Sequence, residues 1–154
     1  FITAVCETKP ESYVPFPTEK FCYPVLNKSL WIAYAQPGYY KFLKDYLDIQ
    51  PFNFISYDFD EIVDPKQRLW RYMQEIKRLS RFDPSGREYL YEANQDVIDH
   101  NFRVLTSGQL VANWWKHDDL IKDNMDQLVF EQLGDRHMPL LVTQLQTVLK
   151  VSLI

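Results

Sequence analysis

The sequence has little glycine, little cysteine, no long apolar run and no excess of basic residues. Only 4 of its 154 residues are glycine, which excludes collagen-like and glycine-rich low-complexity chains. The two cysteines, Cys6 and Cys22, form no CxxC motif, so the sequence indicates neither a disulfide framework nor a zinc site. A reducing compartment is favoured, and we expect a cytoplasmic location.

The charge balance and the apolar pattern exclude further classes. A net charge of −4 without a run of Lys or Arg argues against strong nucleic-acid binding by this segment. No stretch approaches the roughly 18 to 20 apolar residues that a membrane-spanning helix needs, so we expect no membrane partner. What the chain does have is 46% hydrophobic residues, enough for a buried core.

Three short apolar runs predict β-strands. Residues 1–6, 30–35 and 52–57 are rich in aromatic and β-branched side chains, and Pro, Asn or Asp bounds them. Their apolarity is continuous rather than alternating, which is typical of parallel strands covered on both faces. The chain starts inside the first of these runs, so we expect the unit to be truncated at its N-terminus.

Helix signals follow each predicted strand. Thr18 can cap a helix that opens at Glu19, which Pro24 should kink or shorten, and Gly38 precedes a helical pattern over 39–47. Asp64 as N-cap, followed by Pro65 and by Gln67 in a capping box, predicts a third helix. Its predicted buried stripe is Leu69, Tyr72, Met73, Ile76 and Leu79.

The order β-α-β-α-β-α predicts an α/β fold: a Rossmann-like parallel sheet half-domain over residues 1–84. A helical C-terminal extension should follow over 85–154, beginning at a capping box from Ser85 to Glu88 and packing on the α/β unit. Residues 138–154 are apolar enough to bury a face, either by self-association or by docking to an N-terminal domain.

The triplet Thr18-Glu19-Lys20 and the strand-end residue Glu7 mark the candidate site. In open α/β sheets, ligands bind beyond the carboxyl ends of the strands. A nucleotide sugar presents a ribose diol that a carboxylate can grip. It also presents a diphosphate that a lysine and a helix N-terminus can neutralise. Glu19, Lys20 and the helix start offer these groups, and Gly38 would permit close backbone approach.

These residues carry a resemblance over about residues 1–82. The chain resembles the donor-binding half of GT-B glycosyltransferases with a Thr-Glu-Lys motif, notably α-1,3-fucosyltransferases and uncharacterised glycosyltransferase-like proteins of phages and bacteria. The matching features, in the family's order, are Glu7, Phe16, Thr18-Glu19-Lys20, Pro24, the strand 30–35, Pro37-Gly38-Tyr39, Phe42-Leu43, Ser56-Tyr57-Asp58, Glu61-Ile62, Asp64-Pro65 and His100-Asn101-Phe102.

The resemblance implies that Glu19 and Lys20 contact a nucleoside-diphosphate sugar, with Phe16 and Glu7 beside them. Phe16 stands where the fucosyltransferases usually have Tyr, and Glu7 is followed by Thr8 rather than Asn, so a fucose donor is not implied. The catalytic base of such an enzyme lies in an N-terminal domain. This part of the protein alone is therefore expected to bind the donor without turnover, and no cofactor is implied.

Two alternatives remain open at this point. One is a catalytically silent, glycosyltransferase-like scaffold or oligomerisation module, for which residues 138–154 would supply an apolar face. The other is a metal-dependent transferase of the GT-A type, because Asp58-Phe59-Asp60 follows an apolar run and resembles a motif that holds Mg²⁺ or Mn²⁺ against a diphosphate.

Overall fold

The computed structural model describes residues 2–7, 10, 15 and 17–116, apart from the side chains of Trp114 and Trp115. The described chain is a mixed α/β structure that is mostly helical. Its elements are β1 (Ile2–Cys6), α1 (Glu19–Leu26), β2 (Leu30–Tyr34), α2 (Tyr39–Leu47), a 3-10 helix (Asp58–Glu61), α3 (Pro65–Leu79), α4 (Pro84–Glu92), α5 (Gln95–Thr106) and α6 (Gln109–Lys116). No helix in this part of the chain is long and apolar enough to span a membrane.

The sheet formed by the described residues has two parallel strands. β1 pairs with β2 in a register that runs from Ile2 opposite Leu30 to Cys6 opposite Tyr34. Every residue of β2 is buried, as continuous apolarity predicts. β1 is different, because only Val5 within it is buried. The strand predictions for 1–6 and 30–35 are therefore confirmed to within a residue.

The strand predicted over 52–57 is wrong. This stretch contains a turn at Asn53 and Phe54, and side chains rather than a neighbouring strand bind its backbone. The Phe52 N–H donates to the Tyr57 hydroxyl at 3.0 Å. The apolarity of this stretch reflects individual anchoring into the core, since Phe52 packs edge-on against Trp31 with the ring centres 6.2 Å apart. The stretch therefore lies beside the sheet rather than in it.

Aromatic side chains from both sides of β2 build the core. Trp31 is stacked on Tyr40 from α2 at 5.7 Å and contacts Phe21 from α1 at 6.1 Å. Tyr34 lies three positions further along β2, on the opposite face of the strand, and contacts Tyr72 from α3 at 5.5 Å. Side chains alternate between the two faces of a strand, so Trp31 and Tyr34, three positions apart, contact different helices.

α3 begins as predicted but turns a different face to the core. The Asp64 carboxylate accepts from the Gln67 N–H at 2.7 Å, which confirms the N-cap. Of the predicted stripe, Tyr72 and Leu79 are buried, whereas Leu69 and Met73 are exposed. The buried face is completed by two charged side chains, Arg68 and Glu75. These charged side chains occupy part of a buried face for which the periodicity predicted apolar residues. The terminal guanidinium nitrogens of Arg68 donate to backbone carbonyls, although its Nε has no hydrogen-bond partner.

The N-cap of α4 lies two residues before the predicted one, Ser85. It is Asp83, whose carboxylate accepts from the Gly86 N–H at 2.7 Å, and Pro84 occupies the first turn. Proline at the start of a helix has no N–H to leave unpaired, which favours Asp83-Pro84 over Ser85 as the starting point.

The helices from α4 onward pack on the sheet unit through core apolar side chains and through polar contacts. α5 contacts α1, and α6 contacts α2. Asn101 of α5 accepts from the Gln50 N–H at 2.7 Å and donates to the Gln50 carbonyl at 2.9 Å. His100 contacts the Asp48 carbonyl at 2.8 Å. Residues 117–154, including the predicted apolar segment 138–154, lie outside the described residues.

Candidate functional site

Glu7 lies directly beyond β1 and is 2% exposed. Its own N–H donates to the Tyr34 carbonyl at 2.9 Å, which extends the ladder by one bond. Its carboxylate accepts from the Thr18 N–H at 3.3 Å, from the Thr18 hydroxyl, and from the Tyr39 hydroxyl at 2.6 Å. Glu7 therefore joins the end of β1 to the starts of both α1 and α2.

This geometry gives Glu7 a positioning role. Two hydrogen bonds from Thr18 and one from Tyr39 already occupy its carboxylate, and the side chain is buried. Burial, with the adjacent Glu7 as the next cause, raises the pKa of Tyr39 well above its ordinary value, so this phenol stays a donor. The same order of causes raises the pKa of the Cys22 thiol to about 12, which makes that cysteine a poor nucleophile.

Thr18 connects this buried carboxylate to the exposed part of the motif. It is the N-cap of α1, and its hydroxyl oxygen accepts from the Lys20 N–H at 3.3 Å. Glu19 and Lys20 form the first turn of α1 and are both exposed. The structure thus brings Glu7, Thr18, Glu19 and Lys20 together at the carboxyl edge of the sheet. Phe16 lies outside the described residues.

Gly38 is the N-cap of α2, and its backbone conformation explains why a glycine is found there. Its φ of 76° lies in the left-handed region, where a side chain is strained, although no atom lies within 4 Å of where a Cβ would be. Its N–H donates to the Asp60 carbonyl at 2.7 Å. Gly38 precedes Tyr39 and so borders the Glu7 group, but its own hydrogen bond leads to the 3-10 helix.

Asp60 covers the N-terminus of α2. Its carboxylate accepts from the Tyr40 N–H at 3.1 Å, and the backbone of Tyr39 and Lys41 also contributes. Burial raises its pKa from 3.8 to about 6, against the lowering effect of these hydrogen bonds and of the Arg68 charge. A carboxylate at this position compensates the positive end of α2.

Asp58, the other carboxylate of the predicted metal motif, has different partners. It is exposed, and it accepts from the Ser56 hydroxyl at 2.5 Å and from the Arg71 guanidinium at 2.7 Å. The Ser56 hydrogen bond, followed by those to Arg71, lowers its pKa. Within the described ranges there is no group of three or more His, Cys, Asp or Glu side chains that could hold a metal ion.

Arg68 is a buried cation that the sequence interpretation missed. Its guanidinium donates to the carbonyls of Ile62 at 2.7 Å, Val63 at 3.0 Å and Pro10 at 2.5 Å. It also lies over the Tyr34 ring, 5.5 Å from the centre. Through Pro10, it ties the connection after β1 to α3. Its helical spacing relative to the buried Tyr72 was the available signal, because the two are four positions apart.

A cleft of about 280 Å³ lies along another side of α3. Its lining residues are Ser56, Asp58, Phe59, Arg71, Gln74, Glu75 and Arg78. Both guanidinium groups in it are paired with carboxylates, Arg71 with Asp58 at 2.7 Å and Arg78 with Glu75 at 2.5 Å. These four charges cancel, so the cleft offers little attraction to a diphosphate. Apart from Asp58, it contains none of the predicted site residues.

Comparison with known proteins adds no relative. No protein-family model matches the chain, and no curated protein or solved structure is significantly similar to it. The relationship to Thr-Glu-Lys glycosyltransferases therefore stays a prediction from the quoted residues.

Proposed function

We propose that this chain binds a nucleoside-diphosphate sugar as the donor-binding part of a GT-B-like glycosyltransferase. The observation that supports this proposal best is the link from Glu7 through Thr18 to the first turn of α1. That link fixes two exposed residues of opposite charge, Glu19 and Lys20, beyond the carboxyl ends of two parallel strands. Ligands of open α/β sheets bind at such an edge.

In the proposed complex, Glu19 accepts hydrogen bonds from the ribose hydroxyls, and Lys20 together with the first turn of α1 binds the diphosphate. Thr18 and Glu7 position this turn. β1, α1 and β2 would then be one β-α-β unit of a Rossmann-like half-domain, in which a helix start after the first strand serves the same purpose. Sugar transfer itself needs a catalytic base, which we assign to a separate N-terminal domain.

A thermal-shift panel tests the donor site. UDP, GDP, CDP, ADP and dTDP are added to the full chain, to Lys20→Ala and to the control Lys44→Ala, whose lysine is exposed on α2. A ligand at 100 times its Kd stabilises the folded state by about 2.7 kcal/mol, which corresponds to several degrees for a domain of this size. We expect a shift with one nucleotide that Lys20→Ala abolishes and Lys44→Ala preserves.

No shift with any nucleotide, in a protein that melts cooperatively, contradicts the donor site and favours a second candidate. This candidate is the catalytically silent scaffold or oligomerisation module. The observation that supports it is an exposed apolar face on α3, formed by Leu69, Trp70 and Met73.

A further inference from the structure

α3 has two opposite faces of different character. Arg68, Tyr72 and Leu79 lie on the inner face and are buried. Leu69, Trp70 and Met73 lie on the outer face, and their exposed fractions are 44%, 58% and 51%. Residues three and four apart are neighbours on a helix, so the three apolar side chains form one continuous patch.

Trp70 is more than half exposed and lies beside two other large apolar side chains. Folded proteins rarely expose large contiguous apolar patches, and such patches mark interaction sites. Tryptophan is also among the residues that contribute most to binding when a partner covers them. The outer face of α3 therefore has the composition of an interface rather than of a solvated surface.

Two lysines bracket this patch. Lys66 and Lys77 are exposed, and they lie four positions before Trp70 and four positions after Met73. Their spacing of 11 positions corresponds to roughly 17 Å along a helix. The outer face of α3 thus consists of an apolar centre with a positive charge at each end, and it fits a partner with an apolar centre and negative ends.

The sequence of residues 117–133 has this pattern. It contains five carboxylates and one lysine: Asp118, Asp119, Asp123, Asp126, Glu131 and Lys122. Ile121, Met125 and Leu128 follow helical spacing, so the sequence predicts an amphipathic helix. Asp118 and Glu131, which flank this stripe, are 13 positions apart, or roughly 20 Å in a helix. That span is close to the lysine span on α3.

We propose that the outer face of α3 binds residues 117–133 of a second copy of this chain. In the sequence the segment is attached to α6, and α6 packs on α2 and α5, whereas α3 packs on the 3-10 helix. A second copy can present the segment to α3 without that tether. The arrangement is reciprocal, so two identical contacts close a symmetric dimer. It does not depend on nucleotide binding.

A charge-swap experiment on the full chain tests this dimer. The first variant, Lys66→Glu with Lys77→Glu, makes α3 acidic, and the second, Asp118→Lys with Glu131→Lys, makes the segment basic. Sedimentation equilibrium should show a dimer for the unmodified chain and at least tenfold weaker dimerisation for each variant alone. An equimolar mixture of the two variants should form a heterodimer. One of its contacts then has reversed charges, and the other joins the unchanged lysines of one variant to the unchanged carboxylates of the other.

The matched control is Lys41→Glu with Lys44→Glu, which makes the same charge change on exposed lysines of α2 and should leave the dimer intact. Circular dichroism of every variant distinguishes lost association from lost folding. A chain that is monomeric at all concentrations overturns the proposal, and so does dimerisation that both variants retain. A mixture that stays monomeric while each variant is folded overturns it as well.

Discussion

The hydroxyl of Tyr39 lies 2.6 Å from a carboxylate oxygen of Glu7. The first residue of α2 is thereby bound to the residue that follows β1, and the same carboxylate holds Thr18 at the start of α1. The two helix starts that face the carboxyl edge of the sheet are therefore fixed to each other through one buried side chain.

Tyr39→Phe removes one of the hydrogen bonds to this carboxylate. We expect the free energy of unfolding to fall by about 1 to 3 kcal/mol, because a buried charged acceptor loses a partner without gaining water. Urea unfolding measures the change. Tyr23→Phe is the matched control, since Tyr23 is 66% exposed and should change stability by less than about 0.5 kcal/mol. Equal effects of the two substitutions would contradict the assigned role of Glu7.

Asp60 should make stability fall as the pH rises. Its pKa is about 6 in the folded protein against an ordinary value of 3.8, so the folded state binds more protons between these values. Its contribution is fully present below pH 3.8 and is lost as the pH rises to about 6, by at most about 3 kcal/mol. Urea unfolding across this range should give a flatter profile for Asp60→Asn. If the free energy of unfolding depended on pH in the same way in the unmodified chain and in Asp60→Asn, the raised pKa assigned to Asp60 would be refuted.

Asn101→Ala should remove the two hydrogen bonds that join α5 to the connection after α2. The substitution leaves the Gln50 N–H and carbonyl without the partners that Asn101 provides, and we expect a loss of about 2 kcal/mol or more. Asn53→Ala, at an exposed position, is the control for an amide removed from the surface. Thermal unfolding of both variants measures the difference. A loss no larger than that of the control would show that the pair contributes little.

Nucleotide binding should not depend on a metal ion. Asp58 pairs with Arg71, while Asp60 covers the start of α2, so the two carboxylates have separate partners. We expect the nucleotide-induced thermal shift to be the same with EDTA and with added Mg²⁺, and the same in Asp58→Asn. Loss of the shift in EDTA would instead support the metal-dependent alternative.

The sequence predicts the starts of α1 and α3 correctly because caps are local. Thr18 and Asp64 need only the N–H groups two or three residues ahead, and both make the expected hydrogen bonds. Local residues could not show whether 52–57 forms a strand, because sheet pairing depends on residues that are distant in the sequence. Here the side chains of Glu75 and Arg78 bind the Ser56 N–H and the Phe54 carbonyl in place of a strand.

The same reasoning explains the outcome at the candidate site. The order of Thr18, Glu19 and Lys20 after a strand was enough to place them at one edge of the sheet. The role of Glu7 was not visible, because its hydrogen bond with Tyr39 joins residues that are 32 positions apart along the chain. The spacing of Arg68 from Tyr72 could have placed it on the buried face, but its carbonyl partner Pro10 lies 58 positions away and could not be predicted from the sequence.

The Asn101–Gln50 pair affects how the described part of the chain unfolds. The amide of Asn101 exchanges two hydrogen bonds with one backbone residue, as two residues on facing antiparallel strands do. α5 cannot separate from the rest of the structure without breaking both hydrogen bonds and exposing the backbone of Gln50 to solvent. We therefore expect the Gln50 amide proton to exchange with solvent only through global opening, and the helices after residue 84 to melt in a single cooperative transition with the sheet.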